Sequence, residues 1–127
     1  MRFLYMVKGK EGQGMPPAAM IEAVEQAAEE ATKNGTMVIR GGLYPAAESI
    51  HARVDGGKVN VTDGPFAEAK EVIGGFAIFE LKSREEAIES AREFMELHRR
   101  HWPGWVGELE VRQLFDGAPD FAKLAQK

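Results

Sequence analysis

Cysteine is absent from this sequence, which excludes disulfide bridges, a thiolate nucleophile and cysteine ligands for a metal. Long apolar runs are absent too, since none approaches the roughly 18 residues that a membrane-spanning helix needs. The formal net charge of −4 gives no overall attraction to nucleic acid or to an anionic membrane. We therefore expect a cytoplasmic protein with neither nucleic-acid nor membrane partners. The sequence also lacks a phosphate-binding loop and a dinucleotide fingerprint, so no cofactor is expected.

The 127 residues suffice for one globular domain with a real core, because 44% of them are hydrophobic and 28% are charged. We expect that domain over residues 1–115, followed by a short tail over residues 116–127. No internal repeat and no linker suggests a second domain.

Hydrophobic periodicity predicts alternating strands and helices. Strands are expected at residues 3–7, 36–44, 49–54, 58–62, 72–81 and 108–115, and helices from Pro17 to Asn34 and after the capping box Ser83–Glu86. Asp55-Gly56-Gly57 predicts a hairpin, since glycine tolerates positive φ. Without that hairpin the order is β-α-β-β-α-β, the ferredoxin-like split βαβ arrangement of an α+β domain. Right-handed crossovers place both helices on one face of the sheet.

Two helices can cover only one face of such a sheet, yet its strands are apolar on both faces. In the first strand, Tyr5 and Val7 alternate with Leu4 and Met6. The second face therefore needs a cover, and the simplest cover is the same face of a second copy. We expect a homodimer; the alternative is that the tail or the hairpin folds over the sheet.

The most informative stretch runs from Asp63 to Glu71 and reads Asp-Gly-Pro-Phe-Ala-Glu-Ala-Lys-Glu. Pro65 fixes its own φ and restricts Gly64 before it, so the loop is expected to be stiff. Together with residues 72–76, the stretch resembles the signature of DGPF-domain proteins, a branch of the YCII-related family. One residue departs from that signature, because Ala69 stands where the family usually has threonine.

The resemblance extends over roughly Arg2 to Phe115 and implies a dimeric α+β barrel. It implies little about function. Related proteins use a His–Asp pair in their cleft, and some act on chlorinated aromatics. The first predicted helix here has no histidine, so no catalytic residue is transferred from the resemblance.

The stiff loop supplies the first candidate site residues. Asp63 could act as a general base or anchor a ligand, and the alternative is a turn aspartate that bonds its own backbone. Glu68, Lys70 and Glu71 could form a charged binding site or a solvated network of ion pairs.

Four further residues are candidates for binding a ligand. Arg40 lies mid-strand among apolar residues and, if buried, needs an anionic partner such as Asp63, Glu68 or a ligand carboxylate. Trp102 and Trp105 could wall an aromatic pocket or serve as core or interface anchors. Tyr5 could offer its hydroxyl to the cleft or simply pack. His98 and His101 lack a clear third ligand, so no metal is expected.

Three kinds of function stay open, and the third, a structural dimer without a ligand, predicts a filled interior. The first is a dimer that binds a small anionic or aromatic molecule and could be a cofactor-independent enzyme. The second is a non-catalytic regulatory or sensor dimer that binds a metabolite or a protein partner. An exposed Asp63 outside any enclosed pocket would favour the second over catalysis by that residue.

Overall fold

The computed structural model describes residues 1–66 and 71–125 of the chain. The elements within those ranges are β1 (Arg2–Lys10), α1 (Ala18–Lys33), β2 (Met37–Gly42), a single 3₁₀ turn (Ala46–Glu48), β3 (Ile50–Asp55), β4 (Lys58–Asp63), β5 (Glu71–Glu80), α2 (Arg84–His101), β6 (Gly107–Gln113) and α3 (Phe121–Ala125). None of the helices in this described part of the chain is both long and apolar enough to cross a membrane.

The main sheet has four strands in the order β2-β5-β1-β6, and every neighbouring pair is antiparallel. This order is the one that two split βαβ units produce, so the predicted ferredoxin-like α+β fold is confirmed. The register places Tyr5 between Ala77 of β5 and Val111 of β6. Because side chains alternate along a strand, these three residues share one face of the sheet.

Both helices contact that face. The hydroxyl of Tyr5 donates a hydrogen bond to the Ala87 carbonyl of α2 at 3.2 Å. Arg40, which is paired with Ala77, binds Glu25 of α1. One cluster of the buried apolar core lies under α2 and contains Phe3, Tyr5, Leu81 and Ala87, with Ala77, Phe79, Leu109 and Val111 packed around it. Met20 and Ala28 of α1 are also buried.

The predicted capping box begins α2, with one difference in detail. The Ser83 hydroxyl accepts a hydrogen bond from the Glu86 N–H at 3.1 Å, as expected. The Glu86 carboxylate reaches back to the N–H of Lys82 rather than to that of Ser83. The two bonds satisfy backbone donors at a helix start, where no carbonyl lies one turn earlier to accept them.

The opposite face of the main sheet is called the open face here. Its apolar part carries Leu4, Met6, Ile39, Phe76 and Ile78, which alternate with the residues that face the helices. Ile39 is 51% exposed and the other four are half-buried. Towards the β6 edge, Glu110 forms ion pairs with Lys8 and Arg112. The open face is therefore apolar at its centre and charged at one edge.

The predicted hairpin is present as a separate two-stranded sheet of β3 and β4. Gly56 and Gly57 form its turn, and both adopt positive φ as the sequence predicted. The register gathers the apolar side chains Ile50, Ala52, Val54, Val59 and Val61 on one face. Every residue of both strands is exposed, so the hairpin does not fold over the sheet of its own chain.

Candidate functional site

A large cleft lies between the two long helices and the sheet face that carries Tyr5. Its volume is about 1810 Å³, above the ~300–1,000 Å³ of typical small-molecule sites, so a small ligand would fill only part of it. The sheet contributes Tyr5, Val7, Ala77 and Leu109; α1 contributes Met20, Val24 and Ala28; and α2 contributes Ser90, Phe94, Leu97 and His98. Most of these side chains are apolar, and charged side chains that include Lys10, Glu25, Arg40, Arg92 and Arg100 also line the cleft.

One end of the cleft is aromatic. Phe94, His98, Trp102 and Trp105 form what we call the aromatic cluster. The ring centroids of His98 and Trp105 are 4.4 Å apart, those of Phe94 and His98 are 5.0 Å apart, and those of the two tryptophans are 6.0 Å apart. Both tryptophans are half-buried, so each indole presents part of its surface to the cleft.

Two glycines create the space for Trp105. A Cβ added to Gly107 would lie 2.3 Å from the Trp105 Cη2 atom and 2.4 Å from the Lys8 carbonyl oxygen. A Cβ added to Gly9 would lie 3.3 Å from the Trp105 Nε1 atom. The indole therefore rests directly on the backbone of β1 and β6, and a side chain at either position would displace it.

Gln13 joins the two loops at this end of the cleft. Its amide nitrogen donates to the Val106 carbonyl at 2.8 Å, and its amide oxygen accepts from the Val106 N–H at 2.7 Å. The loop between β1 and α1 is thereby fixed to the segment that precedes β6. A reciprocal pair of amide bonds of this kind holds both loops in one relative position.

His98 is the most buried residue of the aromatic cluster. Its side chain is only 6% exposed, and its Nδ1 atom lies 3.0 Å from the Phe94 carbonyl oxygen, one turn earlier in α2. Burial lowers the pKa of His98, and the bond to the Phe94 carbonyl opposes that shift only in part. The imidazole is therefore neutral near neutral pH.

Arg40 lines the cleft. The sequence predicted an anionic partner for Arg40 if its side chain were buried, but it is not buried. Its guanidinium makes two hydrogen bonds to the Glu25 carboxylate, at 3.0 and 2.8 Å, and its side chain is 41% exposed. These bonds lower the pKa of Glu25 and raise that of Arg40. The partner is thus Glu25 of α1 rather than Asp63 or Glu68.

Tyr5 lines the cleft with its ring while its hydroxyl bonds the backbone of α2. Burial raises the pKa of this phenol, so it stays protonated at physiological pH. The packing alternative describes its hydroxyl better than a ligand contact does. Trp102 and Trp105 line the same cleft, so the structure brings together Tyr5, Arg40 and both tryptophans.

Asp63 does not line this cleft. It is exposed at the end of β4 and lines a separate shallow groove with Ala47, Glu48, Gly64 and Pro65. The loop beside it is held by backbone bonds from Gly64 N–H to the Ser49 carbonyl and from Phe66 N–H to the Ala47 carbonyl, each 3.0 Å long. Glu68 and Lys70 fall outside the described residues, as does the side chain of Glu71.

Residues 1–98 match the sequence profile of the YCII-related domain. The chain belongs to the YCII-related domain family. An uncharacterized protein of Rhizobium meliloti (strain 1021) is 33% identical to this chain over 94 residues. The aligned part covers 74% of this chain and 69% of that relative. In this YCII-related domain, Trp102 and Trp105 lie beyond the matched segment, whereas Phe94 and His98 lie within it.

Sequence reasoning about this YCII-related domain missed two residues of the cleft. His98 belongs to the apolar stripe of its helix, and its spacing of four from Phe94 could have indicated a side chain held against that residue. Gln13 carried no signal, because a loop glutamine has no characteristic spacing. Within residues 1–66 and 71–125, no group of three or more His, Asp or Glu side chains is arranged to hold a metal ion.

Proposed function

We propose that this YCII-related protein binds a small, flat, mainly apolar molecule in the cleft between its helices and its sheet. The observation that carries the proposal is the aromatic cluster at one end of the cleft, with Trp105 seated on two glycines. Half-buried indoles offer flat apolar area that is stabilised when a ligand removes it from water. Since one small ligand does not fill the cleft, we expect it to bind at the aromatic end, where the indole rings offer flat surfaces for a flat ligand to pack against.

The pairing of Arg40 favours an uncharged ligand over an anion at that part of the cleft. Arg40 is the cation expected to anchor a carboxylate, but both of its terminal nitrogens already bond Glu25. An anionic ligand would have to displace that carboxylate and leave Glu25 unpaired. An aromatic ligand without charge has no such competitor.

We further propose binding rather than catalysis by Asp63. The exposed position of Asp63, outside the cleft, supports this choice, because a general base must reach the substrate that it deprotonates. The same geometry supports our proposal of a regulatory or sensor role for the bound molecule. We also propose that the protein is cytoplasmic. Small domains in oxidising compartments usually contain disulfides, and this sequence has no cysteine to form one.

The ligand proposal is tested by ligand-observed NMR with naphthalene-2-methanol, which is neutral, and naphthalene-2-carboxylate, which is charged. The neutral compound should bind the wild type more tightly. Val24→Trp adds an indole to the wall of the cleft and should weaken binding. Ile88→Trp, which adds the same indole at a 53% exposed position outside the cleft, should leave binding unchanged. Equal binding by the two variants would contradict the proposal.

For the assembly we propose a homodimer that covers the open face, and within the family we propose the DGPF branch. The apolar centre of the open face supports the dimer, because a contiguous exposed patch of this kind is rare on a monomer. The Asp-Gly-Pro-Phe residues at 63–66, with their backbone bonds to Ala47 of the 3₁₀ turn and to Ser49 directly after it, support the branch.

The dimer is tested by a matched pair of variants measured by analytical ultracentrifugation. Ile39 on the open face and Ile88 on α2 are 51% and 53% exposed, so glutamate should burden the folded monomer similarly at either position. Ile39→Glu should weaken association at least about tenfold, which corresponds to ~1.4 kcal/mol. Ile88→Glu should not. A wild type that sediments as a monomer at micromolar concentration would refute the dimer.

A further inference from the structure

We propose that His98 is the hydrogen-bond acceptor of the cleft, and that its Nε2 atom receives a hydrogen bond from a neutral N–H or O–H group on an aromatic ligand. The inference rests on the proposed function and specifies its ligand: a flat ring that carries an uncharged donor.

The Phe94 carbonyl determines which ring nitrogen of His98 carries the proton. The Phe94 carbonyl oxygen, 3.0 Å from Nδ1, can only accept a hydrogen bond, so Nδ1 must donate. A neutral imidazole has one N–H, and its position on Nδ1 leaves the lone pair on Nε2. The helix itself therefore selects the tautomer, because the accepting carbonyl belongs to the preceding turn of α2.

The Nε2 atom of His98 is accessible from the cleft. No hydrogen bond from Nε2 to another described residue is present, while every fully buried side-chain nitrogen or oxygen in the described ranges has a partner. Nε2 is therefore not fully buried, although the residue as a whole is 94% removed from solvent. Since His98 lines the cleft, the space that Nε2 reaches is the cleft.

The aromatic rings around His98 limit what can approach its Nε2 atom. Trp105 packs against the imidazole with an angle of 38° between the ring planes, and Phe94 meets it edge-on at 70°. Trp105 cannot retreat, because Gly9 and Gly107 place backbone directly beneath it. The imidazole is thus held at a fixed angle between aromatic walls. A flat ring fits beside these walls, and only a group with a hydrogen to donate satisfies the lone pair.

A carboxylate does not fit this subsite. Its oxygens are acceptors, as is Nε2 in the tautomer that the Phe94 carbonyl selects, so the two would face each other without a proton. Tyr5 provides no substitute donor, because its hydroxyl hydrogen is directed to the Ala87 carbonyl. The donor must therefore come from the ligand.

The experiment begins with the free protein. Long-range ¹H–¹⁵N correlation spectra report the protonation of each nitrogen in the three histidines of the chain, and His98 is assigned by its absence from the spectrum of His98→Asn. We expect a protonated Nδ1 and an unprotonated Nε2. A protonated Nε2 in the neutral ring would overturn the inference without reference to any ligand.

The second part uses indole and benzofuran, two flat bicycles of the same size of which only indole has an N–H. Indole should shift the Nε2 resonance of the wild type and bind about two- to tenfold more tightly than benzofuran, the range that one net hydrogen bond contributes. In His98→Asn that preference should disappear. The asparagine amide can still donate to the Phe94 carbonyl, so the helix keeps its bond.

Equal binding of both compounds to the wild type, with an unchanged Nε2 resonance, would overturn the inference and leave the proposed function intact. Absence of binding by indole, benzofuran and naphthalene-2-methanol would overturn both. If His98→Asn folds poorly, His98 is assigned by elimination from the spectra of His51→Asn and His101→Asn, and the wild-type measurements still decide the test.

Discussion

Substitution of Gly107 by alanine should destabilise the protein and release Trp105 from its seat. The new Cβ would lie 2.3 Å from the Trp105 Cη2 atom and 2.4 Å from the Lys8 carbonyl oxygen. The indole can rotate away, but the carbonyl belongs to β1 and can move only if the pairing of β1 with β6 opens at this end. Overpacking of this kind costs about 1–3 kcal/mol. At roughly 3–5 °C per kcal/mol for a chain of this size, a mid-range cost of ~2 kcal/mol lowers the Tm by about 6–10 °C.

Gly74→Ala is the matched control, because a Cβ there meets nothing within 4 Å and its φ is not positive. Both substitutions stiffen the unfolded chain equally, so the difference between them isolates the native clash. Thermal unfolding followed by fluorescence suits the test, since the only two tryptophans of the chain both line the cleft. The same Tm and the same emission spectrum for the two variants would refute the packing argument.

Three other changes give distinct expectations. Gly64→Ala should speed amide exchange in the loop at residues 64–66, since its Cβ would lie 2.4 Å from the Ala47 carbonyl oxygen; protection equal to that of Gly74→Ala would contradict this. Tyr5→Phe should cost about 0.5–1.5 kcal/mol in urea unfolding, whereas Tyr44→Phe, at an 85% exposed position, should cost nothing measurable. The pKa of His98 is lower in the folded protein than in the unfolded chain, so the unfolded chain binds a proton at a higher pH. The free energy of unfolding should therefore fall as the pH drops below about 6.5. His98→Asn should reduce that pH dependence in urea unfolding, and an unchanged dependence would count against it.

The fold could be predicted because its signals are local. Alternating apolar residues, the Asp55-Gly56-Gly57 turn and the Ser83 cap each act over a few residues, and right-handed crossovers then leave one arrangement of the sheet. The ends of strands were less accurate. The second strand was expected to reach Tyr44, but it ends at Gly42, and the first strand continues to Lys10 instead of stopping at Val7. Pairing with β5 and β6 sets these limits, and pairing is not visible in one strand alone.

The site was harder to predict because its contacts join distant parts of the chain. Arg40 was singled out as a cation that needs an anionic partner if it is buried. It is exposed, and the carboxylate that meets it lies on a helix 15 residues earlier. The polar face of α1 offers several glutamates, and only the helix rotation decides which one faces β2. His98 received little weight because it was considered as a metal ligand together with His101, and the sequence offers no clear third ligand. Its second nitrogen matters only once the cleft beside it is known.

The hairpin of β3 and β4 leads directly into the Asp63–Phe66 loop and exposes an apolar face. A two-stranded hairpin is marginal in water by itself, and this one exposes four large apolar side chains: Ile50, Val54, Val59 and Val61, each 67–76% accessible. Full burial of one such side chain contributes about 1.5–3 kcal/mol, so a partner surface that covered all four would stabilise the hairpin strongly. Within its own chain the hairpin is held at its base by the backbone bonds from Gly64 to Ser49 and from Phe66 to Ala47. The ring of His51 also stacks on that of Phe66, with 3.8 Å between the ring centroids. A rigid base and an apolar arm are what an association surface requires, because a base that is already ordered loses less entropy when the arm docks.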